Sequence, residues 1–268
     1  MIESSFLGLV QGLTEFLPVS SSGHLALVQI FFGWREESFI FDIAVHFATM
    51  MATIIYFRTM ILEILADWFG GLFYRDRRKT EGWILGWAII AGNCMTVPVA
   101  LLLKPLVQKW MLSTIAVGAA LLVTSMVLWY AVSIREKGKG VSLKRSLFIG
   151  FIQGLAVIPG ISRSGVTIVA GLRSGFSAER AFSFSFLLSL PAIFGATLLE
   201  FRDISGNPES LSSMPTGWLA GTVTAFVSGY FALAVLRKVV SMGKWKGFAI
   251  YCALVGAFCV FSGLLKGV

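Results

Sequence analysis

Gly8-Leu-Val-Gln11-Gly12-Leu13, continuing through Pro18 to Ser20-Ser21-Ser22-Gly23-His24, returns half a chain later as Gly150-Phe-Ile-Gln153-Gly154-Leu155, continuing through Pro159 to Ser162-Arg163-Ser164-Gly165. The offset is 142 residues both from Gln11 to Gln153 and from Gly23 to Gly165, and seven positions of the window are identical. Most of the other positions exchange one apolar residue for another. The chain therefore reads as two related halves. Each carries a glycine-rich, hydroxyl-rich segment where an ordinary membrane helix would carry leucine.

The surrounding composition supports a membrane reading. Of 268 residues, 56% are hydrophobic and only 13% are charged, about half the charged share of a soluble domain. The net charge of +8 does not form a nucleic-acid stripe, because the basic residues cluster in short loops between apolar spans. Cys94, Cys252 and Cys259 lie in apolar stretches without metal or redox spacing and are expected as packing residues. Met1-Ile-Glu3 lacks the basic start of a signal peptide, so cleavage is not expected.

A spanning helix needs about 20 mostly apolar residues. Six segments qualify: roughly Phe39–Leu65, Trp83–Leu103, Met111–Ile134, Phe182–Phe201, Gly217–Leu236 and Gly247–Leu265. Two further apolar regions, about Ser4–Gly33 and Ser146–Leu172, are broken at the repeated motif. Irregular backbone is tolerated at membrane depth only inside protein or beside a wet cavity. Both regions are therefore expected as re-entrant helix–loop–helix elements. The fold class is an all-α polytopic membrane protein with six spanning helices. Its halves, about 1–137 and 143–268, each hold one re-entrant element followed by three spans. An odd number of spans inverts the second half, giving an inverted-topology repeat.

Charge tests this topology. Arg75, Arg77, Arg78 and Lys79 share one loop, Arg135, Lys137, Lys139, Lys144 and Arg145 a second, and Arg237, Lys238, Lys244 and Lys246 a third. Six spans place all three, with Arg173 and Arg180, on one face, which must be the cytoplasm. The other face holds Arg35, Lys104, Lys109, Arg202 and Lys266 among Glu36, Glu37, Asp203 and Glu209. Both termini then come out on the outer, periplasmic side, and the two re-entrant tips meet near the midplane.

The tips carry the chemistry. Gln11 and Glu15 share a helix face that ends at Pro18, and Ser20, Ser21, Ser22 and His24 follow. A carboxylate at membrane depth is costly and marks a functional site, unless it merely pairs with the arginine of the other half. In the second tip Arg163 offers a planar fork suited to phosphate oxygens. Ser162, Ser164 and Thr167 add hydroxyls, and the helix opening at Gly165 presents free N–H groups. Together they form an anion cradle, with phosphate the best-matched ligand. Gln153 mirrors Gln11 and is expected at the same pocket as support or contact. His46, four residues from Asp42, is as readily a packing histidine as a site residue, and Glu200 is expected to be interfacial.

The segment Gln11-x-x-x-Glu15 leading into Phe16-Leu-Pro18-x-Ser20-Ser21-x-Gly23-His24, together with Pro159-Gly-x-Ser162-Arg163-Ser164-Gly165-x-Thr167, resembles the bacterial undecaprenyl-diphosphatase (bacitracin-resistance) family. Phe184-Ser-Phe-Leu-Leu-Ser-Leu-Pro191 with Gly195-Ala-Thr197 is similar to it as well, and the resemblance covers almost the whole chain. It implies hydrolysis of undecaprenyl diphosphate to the monophosphate, which recycles the lipid carrier for peptidoglycan synthesis and confers bacitracin resistance. It also implies a divalent cation, Mg²⁺ or Ca²⁺, bound with the diphosphate. Glu15 would be the essential carboxylate and a candidate metal ligand, and His24 the essential histidine. Ser21 would be the hydroxyl at the reaction centre and Arg163 the phosphate clamp, with Ser20, Ser22, Ser162, Ser164, Gly165, Thr167, Gln11 and Gln153 around the phosphates. Gln11 stands where a second carboxylate would help hold a metal.

The expected attacker is Ser21 or an activated water, with histidine as a further option. His24 would serve as base or acid and Glu15 would orient it. The expected partners are the polyprenyl diphosphate and the bilayer, not nucleic acid, and the site is expected to open to the periplasm. Gly217-Trp-Leu-Ala-Gly221 permits close helix packing and leaves a homodimer open. The rival reading is a lipid-phosphate flippase or anion transporter, since inverted repeats meeting at the midplane also build transporters.

Overall fold

The computed structural model describes residues 1–32, 39–111, 113–135, 137–205 and 216–266, which form eleven α-helices and no strand. Arg35, Glu36, Glu37 and Glu209, and the side chains of Glu200, Asp203 and Lys266, lie outside the described residues. Both broken regions are helical pairs: α1 (Ile2–Phe16) with α2 (Ser21–Phe32), and α7 (Leu143–Leu155) with α8 (Arg163–Arg173). Between them come α3 (Phe39–Tyr56), α4 (Arg58–Phe73), a 3₁₀ turn at Arg75–Lys79, α5 (Glu81–Trp110) and α6 (Thr114–Ala131). After them come α9 (Ala178–Ser205), α10 (Trp218–Ser241) and α11 (Lys246–Lys266). Five of these are long and apolar enough to cross a membrane, and α3 with α4 makes a sixth candidate.

The repeated glycines are crossing points between the halves. A Cβ at Gly8 would stand 2.0 Å from the carbonyl oxygen of Gly221 in α10, and one at Gly150 would stand 2.1 Å from that of Gly92 in α5. Only a residue without a side chain lets two helix backbones approach this closely. The crossings also fix direction. The Met1 amine donates to the Thr216 carbonyl at 3.0 Å, and successive turns of α1 meet successive turns of α10, so these two run parallel. α7 runs parallel to α5 in the same way, from Gly150 beside Gly92 to Gly154 beside Val99.

α5 starts, and α10 ends, at one end of the bundle. There Arg180 pairs with Glu81 at 2.8 Å, and Arg237 pairs with Glu179. The two helices are therefore antiparallel, and α1 and α7 enter from opposite ends. The basic loops gather at that shared end. α6 and α11 pack together between the re-entrant pairs, and Ser125 Oγ donates to the Ala249 carbonyl at 2.7 Å. Interhelical hydrogen bonds average only about 0.6 kcal/mol in membrane bundles, so close backbone packing contributes the larger share here.

The span expected over Phe39–Leu65 is not a single rod. α3 stops at Tyr56, and α4 leaves at 75°. No proline or glycine marks this break. Phe57 turns into the core against Phe182, with ring centroids 5.7 Å apart. Arg58 Nη1 donates to the Ile55 carbonyl at 3.0 Å, satisfying a group that the interrupted helix leaves free. α9 stays continuous through Pro191. Its Phe182, Phe184 and Phe186 are fully buried, and the Phe186 ring packs on Phe16 at the end of α1 with centroids 5.6 Å apart. Cys252 and Cys259 are buried as expected, but Cys94 lies on the outer surface.

Candidate active site

In the first tip, Pro18 forces the preceding residue out of helical geometry, and Leu17 is extended, with ψ 144°. Ser20 then adopts φ 70°, a left-handed conformation that costs a side-chain-bearing residue about 1–3 kcal/mol. Several hydrogen bonds offset that cost. Ser20 Oγ accepts from Gly23 N at 3.4 Å and, across the repeat, from Gly160 N at 3.1 Å. The Ser20 carbonyl accepts from His24 N at 3.1 Å and from His24 Nδ1 at 2.8 Å. α2 then starts at Ser21 with its side chain directed back to α1.

The second tip is held differently. Ser162 caps α8 by accepting from Gly165 N at 3.2 Å. Thr124 of α6 donates to the Gly160 carbonyl at 2.8 Å and accepts from Ser162 N at 3.0 Å. The first tip has a weaker counterpart from α11, where Cys252 Sγ approaches the Pro18 carbonyl at 3.6 Å.

The tips meet on Glu15. Ser21 Oγ donates to its Oε2 at 2.7 Å, and Gln11 Nε2 donates to the same oxygen at 3.1 Å. Arg163 Nη2 donates to Oε1 at 2.6 Å. The side chains of Glu15 and Arg163 are only 8% and 16% exposed, so this pair is desolvated and strong only while both members are present. The Arg163 guanidinium lies 5.8 Å above the Phe186 ring. Its Nη1 is buried and finds no partner among the described residues. A clamp with one arm on Glu15 and one donor unspent suits an incoming phosphate oxygen.

The remaining expected residues divide. Ser164 joins Ser162 through their hydroxyls at 3.2 Å, and Ser22 lies 3.4 Å from Ser20 Oγ. Gly165 supplies the capped N–H. Thr167 is buried; its hydroxyl donates to the Arg163 carbonyl at 2.7 Å and lies 2.5 Å from Ser185 Oγ, so it braces the cradle from behind. Gln11 is fully buried and acts on Glu15. Gln153 does not reach the cluster. Its Nε2 donates to Thr96 Oγ1 at 3.2 Å and to the Leu188 carbonyl at 3.4 Å.

His24 also departs from expectation. A carbonyl can only accept, so its Nδ1 carries a proton for Ser20, and its Nε2 faces the Tyr251 hydroxyl at 2.8 Å. It is turned toward Tyr251 rather than Glu15. His46, by sequence as readily a packing residue, is the histidine beside the carboxylate. Its Nδ1 donates to the Asp42 carbonyl at 2.8 Å and its Nε2 stands 4.0 Å from Glu15 Oε2. Thr124 and Tyr251 carry no mark in the sequence beyond being polar residues in apolar runs, and Ser185 lies in the Phe184–Pro191 stretch without being singled out there.

Among the described residues no three His, Cys, Asp or Glu side chains cluster to hold a metal. Glu15 is a single carboxylate already taking three donors. These residues do not fit an ion held by protein ligands alone.

A family model described as bacitracin resistance protein BacA matches residues 4–258. The chain is 43% identical to a protein of Desulfosudis oleivorans named undecaprenyl-diphosphatase, over 98% of each chain. A protein of the same name from Desulforapulum autotrophicum is 42% identical over 97% of each. Another, from Carboxydothermus hydrogenoformans, is 37% identical over 95% of this chain and 94% of its own.

Proposed function

The chain belongs to the bacitracin resistance protein BacA family, and from that premise we propose that it hydrolyses undecaprenyl diphosphate to undecaprenyl phosphate and inorganic phosphate. The Ser21–Glu15–Arg163 chain across the two tips is the observation that carries the reading. It sets a hydroxyl, an acceptor for its proton and a phosphate clamp within hydrogen-bond reach of one another. Such a set exceeds what binding alone needs.

Ser21 Oγ attacks the terminal phosphorus while Glu15 Oε2 takes its proton. The bond to the inner phosphate breaks, and the lipid leaves as the monophosphate. Arg163, whose Nη1 has no partner among the described residues, neutralises the transferring oxygens, which is the main requirement of phosphoryl transfer. Water then attacks the seryl phosphorus. Glu15 returns its proton to Ser21 Oγ, and phosphate departs with the water's oxygen and both its protons. A divalent cation entering with the diphosphate would shield its charge. His24 acts by holding Ser20, and hence Ser21, in place.

The protein is a multi-pass membrane protein. In this reading its halves, about 1–137 and 143–268, form an inverted repeat, and the basic-loop end faces the cytoplasm by the positive-inside rule. Both termini then face the periplasm, and in the same reading the lipid diphosphate reaches the site from that side. The test is phosphate release from C55 isoprenyl diphosphate by purified protein in detergent, with Mg²⁺, Ca²⁺ or chelator, beside Arg163→Ala. Metal-stimulated release that the substitution abolishes supports the reading. No release by folded protein would move the assignment to a lipid-phosphate transporter.

A further inference from the structure

Two concavities open at the basic-loop end, and their charges differ in kind. The first, of about 350 Å³, is lined by Glu81, Glu179 and Arg180 among others, and its arginine is paired with Glu81. The second, of about 590 Å³, is lined by Lys137, Lys139, Lys144, Arg145 and Arg173, with Phe148 beside them. None of these five cations pairs with a carboxylate among the described residues. Loop charge that serves only topology needs no shared concavity.

The second concavity is also built rather than incidental. The strand of chain after α6 is pinned across it, with Lys139 N donating to the Gly175 carbonyl at 2.8 Å and Arg180 Nη1 to the Lys139 carbonyl at 3.4 Å. Lys144 and Arg145 stand in the first turn of α7, where Ser142 makes no side-chain capping bond, and Arg173 stands in the last turn of α8. Below the cations, Leu143, Leu147, Phe148 and Phe151 form an exposed apolar stripe along α7.

We propose that this concavity binds the headgroup of an anionic phospholipid in the adjacent leaflet, with its acyl chains along the α7 stripe. Five cations without a carboxylate partner among the described residues supply the complement for a phosphodiester, and the apolar stripe selects a lipid over a free anion. The position gives binding a consequence. α7 and α8 converge here, and their other ends form the tip that carries Arg163. The headgroup thus ties together the base of the second re-entrant hairpin.

The test uses full-length protein purified in neutral detergent. Retention of phosphatidylglycerol against phosphatidylcholine is read by native mass spectrometry, and thermal stability is read with each lipid. Two triple variants are compared: Lys137→Gln/Lys144→Gln/Arg173→Gln in the concavity, and Arg75→Gln/Lys79→Gln/Lys244→Gln elsewhere at the same end. Wild type should retain phosphatidylglycerol selectively and melt at higher temperature with it. The concavity variant should lose that retention on the order of a hundredfold, about 1 kcal/mol for each of the three cations, and the charge-matched control should keep it. Equal losses in both variants would overturn the proposal in favour of diffuse surface attraction. Displacement of the lipid by millimolar inorganic phosphate would overturn it in favour of a free-anion site. Turnover of both variants in lipid-free detergent, which neither triple touches, separates a lost lipid site from a misfolded protein. The lipid readout itself stands whether or not the diphosphatase reading holds.

Discussion

Ser21 in the first tip and Arg163 in the second occupy the same position of the repeat, 142 residues apart. One is the proposed attacking hydroxyl and the other the clamp. Glu15 corresponds by the same offset to Val157, and His24 to Val166. The backbone plan is shared: a glycine crossing, a helix end, an irregular tip and a new helix whose first turn is capped by a serine. Ser20 and Ser162, matched in the repeat, both receive a backbone N–H three residues on. Duplicated structure therefore supplies the frame, and divergence at three or four positions supplies the reaction. Because the halves enter from opposite ends, the unlike side chains face one another instead of lying in separate places.

The largest effect should come from removing the group that joins the tips. Glu15→Gln keeps the shape and the Gln11 contact but takes no proton from Ser21. Turnover should fall by about 10⁴-fold, the upper range for a lost general base. Adding Val157→Glu to that variant should restore nothing, because the acceptor for the Ser21 proton has to come from the first tip. Recovery in the double variant would break the asymmetry drawn between the tips. Arg163→Ala leaves Glu15 buried without its cation, so it should also lower stability by about 3–5 kcal/mol, measured by thermal unfolding.

Ser21→Ala ranks next, with an expected loss between about 10²- and 10³-fold as water replaces the hydroxyl less well. Near-normal turnover would remove the serine nucleophile and leave Glu15 as the base for water. His24→Ala should also reduce kcat strongly, because it frees the Ser20 carbonyl from Nδ1 and relaxes the left-handed turn. Tyr251→Phe keeps that bond and should cost less than about tenfold. A shift in the pH–rate profile on Tyr251→Phe would instead place His24 in the proton path.

Much of the fold and of the site is legible in the amino-acid sequence. The constant offset locates both tips, and Pro18 and the serine–glycine runs give their breaks. Glu15 and Arg163 stand out as charges that an apolar segment does not tolerate without use. Three features are not legible, each for a physical reason. The 75° bend after Tyr56 comes from burying Phe57 against α9, a tertiary contact with no local signature. The placement of His46 beside Glu15 depends on how α3 packs beside α1, while nearness in sequence favours His24. The bracing by Thr124 and Ser185 comes from the neighbouring helices α6 and α9, and a hydroxyl in an apolar run does not announce its partner. The glycines are visible, but their part in the α1–α10 and α5–α7 crossings emerges only when the halves interlock.

The smallest expected effect is the sharpest probe of the comparison. Gln11 and Gln153 are matched in the repeat and both buried, yet Gln11 donates to Glu15 and Gln153 to Thr96 and Leu188. The cause lies four residues on: Glu15 is a carboxylate, and Val157 offers its glutamine nothing. Gln11→Leu should therefore lower kcat by about tenfold, the worth of one hydrogen bond to a charged group, while KM changes little. Gln153→Leu should leave kcat unchanged and reduce stability by about 1 kcal/mol through the lost α7–α5 and α7–α9 bonds. Measuring kcat, KM and melting temperature for both separates the two roles. Equal losses of kcat would mean that both glutamines serve the pocket, as their shared motif suggests, and the division of labour between the tips would have to be redrawn.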